Sequence, residues 1–224
     1  MNRTFYVLLT CLLVVVQYGK AQNAVYEQVS QMPEFRGAKG ENWQTFASEP
    51  KNFPAQLQHA FLKGNVVVNF VVNEDGTLSN IRLRKTANPQ LNAVALSVIR
   101  STEGKWLPGK ENGVAVKVAV NVPFDFAPAF DDKKKQFNFY KKIESNMEVS
   151  HAFDSYQRGD FEAAIPMWKK IVANIPSDPD YINFLGWCYY YNFEKEQACE
   201  IWTNAARRLD KKRFGFLVNQ YCVK

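Results

Sequence analysis

Lys63-Gly64-Asn65-Val66-Val67-Val68-Asn69-Phe70-Val71-Val72, continuing Asn73-Glu74-Asp75-Gly76-Thr77, is an extended run that ends in a turn. β-Branched residues dominate it and favour a pleated backbone, while Asp75-Gly76 supplies the positive φ that a tight hairpin requires. A second strand, Leu78 to Lys85, returns from that turn. Further on, Trp106-Leu107-Pro108-Gly109-Lys110-Glu111-Asn112-Gly113 opens another extended run. There Val114, Val116, Val118, Val120, Val122, Phe124 and Phe126 alternate with Ala115, Lys117, Ala119 and Asn121. Alternation over that length predicts a long antiparallel strand with one buried and one wetter face.

A helix with readable ends lies between these strands. Asn88 is a good N-cap, and Pro89 loses nothing at the first helical position. Leu91, Val94, Ala95, Val98 and Ile99 then form one apolar face at helical spacing. The order hairpin, helix, strand predicts an α+β layer in which helices cover a three-stranded antiparallel sheet.

These residues, in this order, resemble the C-terminal domain of TonB, the periplasmic energy transducer of diderm bacteria. Phe53-Pro54 precedes Gly64 at the family's spacing, and Met32-Pro33-Glu34-Phe35-Arg36-Gly37 resembles a divergent form of its opening motif. The resemblance covers residues 33–127. It implies a domain that captures a short extended peptide by adding it as a strand, with main-chain bonds supplying affinity and side-chain pockets selectivity. The edge it implies is Val114, Val116, Val118, Ala119, Val120, Asn121 and Val122. The family's Gln-Pro-x-Tyr-Pro element is matched loosely, by Glu49, Pro50, Phe53 and Pro54 with one extra residue between them.

At the N-terminus, Arg3 precedes an apolar run from Phe5 to Val16, and Gly19-Lys20-Ala21 places small residues before Gln22. That is the three-part form of a secretory signal peptide, with a run shorter than the ~20 residues of a bilayer crossing. The expected layout is a signal peptide at 1–21 and a short linker at 22–32. The TonB-like domain follows at 33–127, then a linker at 128–136 and a helical domain at 137–224. Export points to the periplasm; the rival reading retains the segment as an inner-membrane anchor. A net charge of +6 spread along the chain does not argue for nucleic acid.

The C-terminal third is helical and rich in aromatic residues. Ala164 and Ala198, like Trp168 and Trp202, stand 34 residues apart, the period of the tetratricopeptide repeat, which this segment resembles. Gly186 and Ala198 fall where two helices of one repeat would cross closely. Lys211 to Val223 is expected to close the array with Phe214, Leu217, Val218 and Tyr221. Within Trp187-Cys188-Tyr189-Tyr190-Tyr191, helical geometry cannot turn every ring inward, so Tyr190 and Tyr191 are candidate contacts on the repeat surface.

Catalytic constellations are missing from the sequence. His59 reads as a surface or half-buried helical residue and His151 as a packed repeat position. Cys188, Cys199 and Cys222 lack Cys-x-x-Cys spacing, which removes the usual redox and zinc readings. A Cys188–Cys199 disulfide competes with buried thiols, leaving Cys222 over. The expectation is therefore a periplasmic interaction module without cofactor, metal or small-molecule substrate, and not an enzyme. Its partners would be peptide segments of envelope or outer-membrane proteins, with a homodimer as a further option. The alternative is an energy transducer with a retained anchor. Against it, the ten residues Gln22 to Gln31 span at most ~35 Å, too little to cross the periplasm.

Overall fold

A computed structural model of the chain describes residues 24–37, 42, 43, 46, 57, 59–128, 130 and 132–223. The expected signal peptide at 1–21 and the element Glu49, Pro50, Phe53 and Pro54 lie outside the described residues. Among the described residues, seven strands run in chain order: β1 (Val25–Tyr26), β2 (Glu34–Phe35), β3 (Gly64–Val72), β4 (Leu78–Lys85), β5 (Trp106–Leu107), β6 (Gly109–Glu111) and β7 (Val114–Phe126). Helix α1 (Pro89–Arg100) falls between β4 and β5. Helices α2 (Lys133–Glu144), α3 (Met147–Arg158), α4 (Phe161–Asn174), α5 (Pro179–Tyr191), α6 (Lys195–Arg208) and α7 (Lys211–Leu217) follow, with a π-helical turn at Val218–Cys222. Among the described residues no helix is long and apolar enough to cross a membrane.

The main sheet has the order β1-β7-β3-β4, with β6 also paired to β7, so it has five strands and not the three expected. The two extra strands are short and could not be read from periodicity. β1 falls in the segment 22–32, expected as a linker, and pairs in parallel with β7 through Val25↔Lys117 and Tyr26↔Val118. β6 pairs with the start of β7 across Asn112-Gly113, whose φ values of 50° and 81° are both positive. Two consecutive positive φ values define the tight turn whose twist suits a two-residue hairpin. The Met32–Gly37 motif supplies β2, which pairs with β5 as a separate two-stranded sheet.

Described residues group into two compact units. The first holds residues up to 46, 65–86 and 92–124. Its core is the even-numbered face of β3, where Val66, Val68, Phe70 and Val72 are fully buried, as are Ala95 and Ile99 of α1. The ring of Trp106 lies 5.3 Å from Phe70 and 5.4 Å from Phe35, and its Nε1 donates to Thr102 Oγ1. Gly76 carries φ 82° in the β3–β4 turn, and a Cβ there would collide with the Trp106 carbonyl oxygen. The glycine is thus fixed by both its backbone angle and its neighbour. Asn80, at φ 51°, sits where the β3–β4 register shifts. Asparagine tolerates this conformation better than most residues.

The second unit holds residues 57–64, 87–91 and 125–223 as far as they are described. Residues 133–136, expected within a linker, are the first turn of α2, capped by Asp132 through Lys135 N. Consecutive helices from α2 to α7 pack on one another. Asn146, Asp160, Asp178 and Asp210 cap α3, α4, α5 and α7, each accepting from a main-chain N–H in the first turn. The 34-residue spacing places Ala164 with Trp168 on α4 and Ala198 with Trp202 on α6, and all four are fully buried. A Cβ on Gly186 would collide with the Trp202 indole, so the close helix crossing expected there is present. His151 is exposed and not packed as expected.

Residues 59–63 and 88 are bound into this helical unit. Tyr156 Oη donates to Ala60 O at 2.6 Å, Gln157 Nε2 to Phe61 O at 2.8 Å, and Asn183 Nδ2 to His59 O at 3.3 Å. Asn88 caps α1 through Gln90 N, while its Nδ2 donates to the carbonyls of Tyr156 and Gln157. Phe61 is held at φ 55°, and its ring stacks on Phe139 at 5.0 Å. A phenylalanine persists at that angle only where its surroundings over-determine it.

The cysteines pair differently from the expectation. Cys199 and Cys222 form a disulfide, whereas Cys188 is free and fully buried. Burial pushes the Cys188 thiol well above its usual range, which keeps it protonated and inert. Helical spacing suggested Cys188 and Cys199, but the chain after α7 turns back and brings Cys222 to α6. With 23 residues of separation, closing this loop contributes about 3 kcal/mol through the unfolded chain. Cys222→Ser should therefore loosen α7 and the terminal turn, read as faster amide exchange after Asp210 with α3–α5 little changed. Equal exchange in both proteins would show that the bond adds nothing.

An ion cluster joins three of the helices. Asp180 accepts from Lys142 of α2 and from Arg213 Nη1 of α7 at 2.8 Å, and Lys142 Nζ also reaches Asp178 at 3.1 Å. Burial opposes ionisation of Asp180, yet Arg213 and Lys142 outweigh it and hold the carboxyl below its usual range. A depressed folded-state pKa gives stability that is present above the unfolded value of about 3.9 and lost as pH falls through the folded one. Asp180→Asn should cost about 1.5–3 kcal/mol at neutral pH and flatten the stability loss below about pH 4. An unchanged acid limb in denaturant titrations would assign that loss to other carboxylates.

Candidate functional site

The site is built on the central strands β3 and β7. Along β7, core-facing Val118 and Val122 are buried, while Ala119 is half-buried and Asn121 is exposed. The expected edge from Val114 to Val122 is partly occupied. Residues 114–116 pair with β6, and Lys117 and Val118 pair with β1. Beyond Val118, β1 gives way to a bend at Glu27 and Gln28. Ala119, Val120, Asn121 and Val122 are thus the part of the expected edge left beyond these two pairings. β4 ends the strand order on the other side.

Next to that stretch, which has no strand partner on the β1 side among the described residues, lies a polar groove of about 980 Å³. Glu27 and Gln28 line it from the segment after β1, Asn69 from β3, Arg82 and Arg84 from β4, and Ala119 and Asn121 from β7. Asn69 is only 8% exposed, a polar side chain in a strand otherwise dominated by Val and Phe. It is fully used: Oδ1 accepts from Arg82 Nε at 3.1 Å, and Nδ2 donates to Asn121 Oδ1 at 3.0 Å and to Val120 O at 3.3 Å. Among the described residues neither Arg82 nor Arg84 is paired with a carboxylate.

Sequence reading found Ala119 and Asn121 but missed Asn69, Arg82 and Arg84. The signal was there: Asn69 interrupts an apolar run, and in a hairpin it must stand across from a residue near Arg82. The register confirms Asn69↔Arg82. At the hairpin tip, hydrogen bonds from the side chain and main chain of Thr77 hold the Asp75 carboxyl below its usual range. That is turn chemistry.

Tyr190 and Tyr191 are both half-buried. The Tyr190 ring lies 5.5 Å from Trp187 and 5.7 Å from Tyr221, and Tyr191 stacks on Phe161 at 5.3 Å. Each therefore already contributes to packing of the helices. His59 is half-buried, 4.7 Å from Phe216, and burial with Arg213 nearby holds its imidazole below the usual range. Among the described residues no cluster of His, Cys, Asp and Glu is arranged to hold a metal ion.

Residues 49–128 match the family model described as Gram-negative bacterial TonB protein C-terminal. Among solved structures, the NMR solution structure of the Helicobacter pylori TonB-CTD is 30% identical. The alignment covers 39% of this chain and 78% of that one, with a TM-score of 0.32. No curated protein matches the chain. The helices α2–α7 lie beyond the family match. The matched segment carries the hairpin, the helix and the long strand, and there the chain is similar to the TonB C-terminal family.

Proposed function

We propose that this protein is a periplasmic interaction module that binds extended peptide segments of envelope proteins by strand addition beside β7, and that it is not an enzyme. The observation that carries this reading is the departure of β1 after Tyr26, next to Ala119–Val122 in the TonB-type domain. An unpaired strand offers alternating N–H and C=O groups to an incoming peptide, so affinity comes from the main chain and tolerates many side chains. Support comes from β1, since Val25 and Tyr26 pair as a short parallel strand with the same β7.

The six helices α2–α7 read as tetratricopeptide-like units closed by α7 and the Cys199–Cys222 bond. A disulfide fits an exported protein, because thiols are kept reduced in the bacterial cytosol. Packing of Tyr190 and Tyr191 among their neighbours favours the strand edge over the repeat surface as the primary contact. Binding of synthetic peptides with alternating Val and Thr should therefore survive Tyr190→Ala and Tyr191→Ala within about threefold in the full chain. Loss of binding in these variants, with helicity unchanged by circular dichroism, would move the site to the helices.

A further inference from the structure

We infer that the groove beside β7 reads an acidic side chain on the added peptide, with Arg82 as the principal ligand and Arg84 in support. This rests on the strand-addition reading above and adds the chemistry of what is recognised. Three observations carry it.

The first is the cost of Asn69. A polar side chain at 8% exposure in the middle of β3 replaces what would otherwise be an apolar contact. Its bonds run to Arg82, Asn121 and the Val120 carbonyl, so it links β4 to β7 across the groove floor. The second is what these bonds leave. Arg82 uses Nε on Asn69, which restrains the guanidinium while Nη1 and Nη2 have no partner among the described residues. Two parallel N–H donors on a restrained plane match the two oxygens of a carboxylate, whereas a lysine would present a point charge. Glu27 lines the same groove but forms no ion pair with either arginine.

The third is parity. Side chains alternate along a strand, and Asn121 lines the groove together with Ala119 two residues earlier. A strand added alongside Ala119–Val122 therefore turns every second side chain to the same face as Asn121. One acidic residue at such a position meets Arg82, and the residues on either side of it face the opposite way. The site thus selects both an acid and its register.

The test uses a synthetic heptapeptide of alternating Val and Thr, blocked at both ends, with a central Glu or a central Gln. Binding to the full chain is measured at low and at physiological salt. The wild type should prefer the Glu peptide by about tenfold, as a charge-assisted bidentate pair is stronger than a neutral one. Arg82→Gln should bring the two peptides to within about twofold of each other, and Arg82→Lys should lose most of the preference despite keeping the charge. Arg84→Gln should reduce the preference less. Circular dichroism of each variant monitors the fold. Equal binding of Glu and Gln peptides by the wild type leaves strand addition standing and overturns the carboxylate assignment alone. A preference for Glu that survives Arg82→Gln and Arg84→Gln together also overturns it. Failure of the wild type to bind either peptide removes strand addition and this inference with it.

Discussion

Replacing Trp202 by alanine should cost the helical unit about 3–5 kcal/mol, the range for deleting a large, fully buried aromatic side chain. Trp202 has no exposed surface and lies 4.9 Å from the Trp187 ring, 5.9 Å from Tyr190 and 6.2 Å from Tyr221. Its indole also fills the space over Gly186, so truncation leaves a void flanked by backbone that cannot move in to fill it. Against a typical total of about 5–15 kcal/mol, this is a large fraction, and the melting temperature should fall by more than about 10 °C. Trp202→Phe should cost much less, because Nε1 has no hydrogen-bond partner among the described residues and no bond is lost. Equal losses for the two substitutions would show that the indole nitrogen has a partner after all.

The second large effect concerns capture. Main-chain N–H groups alternate in direction along a strand, so of Ala119 and Val120 one N–H points to β3 and the other away from it. Proline at the outward position removes a donor that repacking cannot replace, and its ring holds an incoming strand at a distance. Ala119→Pro should leave a folded protein that binds the Val/Thr peptides at least about tenfold more weakly. Val120→Pro should instead break the β3–β7 ladder and lower stability. Asn121→Ala should change capture little, because the contact is with the backbone. Undiminished capture by folded forms of both proline variants would exclude strand addition at this edge.

Much of the hairpin, α1 and β7 was legible in the sequence because periodicity, turn residues and caps agree there. The Asp75-Gly76 turn, the Asn88-Pro89 helix start and the long alternating strand all stand where residue chemistry puts them. β1 and β6 were not legible. A two- or three-residue strand has no period, and Val25–Tyr26 is extended because β7 offers it an edge. Compositional change at 128–136 suggested a boundary, yet compactness places residues 59–63 with the helices through Tyr156, Gln157 and Phe139. Contacts across nearly a hundred positions leave no local mark. The disulfide was missed for a related reason, since helical spacing says nothing about where the chain turns after α7.

Half of the site was visible in the same way. Alternation identified Ala119 and Asn121, whereas Arg82 looked like an ordinary solvated charge on the returning hairpin strand. Its meaning depends on Asn69, and that depends on a register displaced by the irregularity near Asn80.

Amide hydrogen exchange across β7, with and without saturating Glu-containing Val/Thr heptapeptide, tests strand addition most directly. Slowed exchange confined to the outward amides of residues 119–122, with residues 187–191 unchanged, is the predicted result. Unchanged exchange along β7 together with slowing at Trp187–Tyr191 would contradict it.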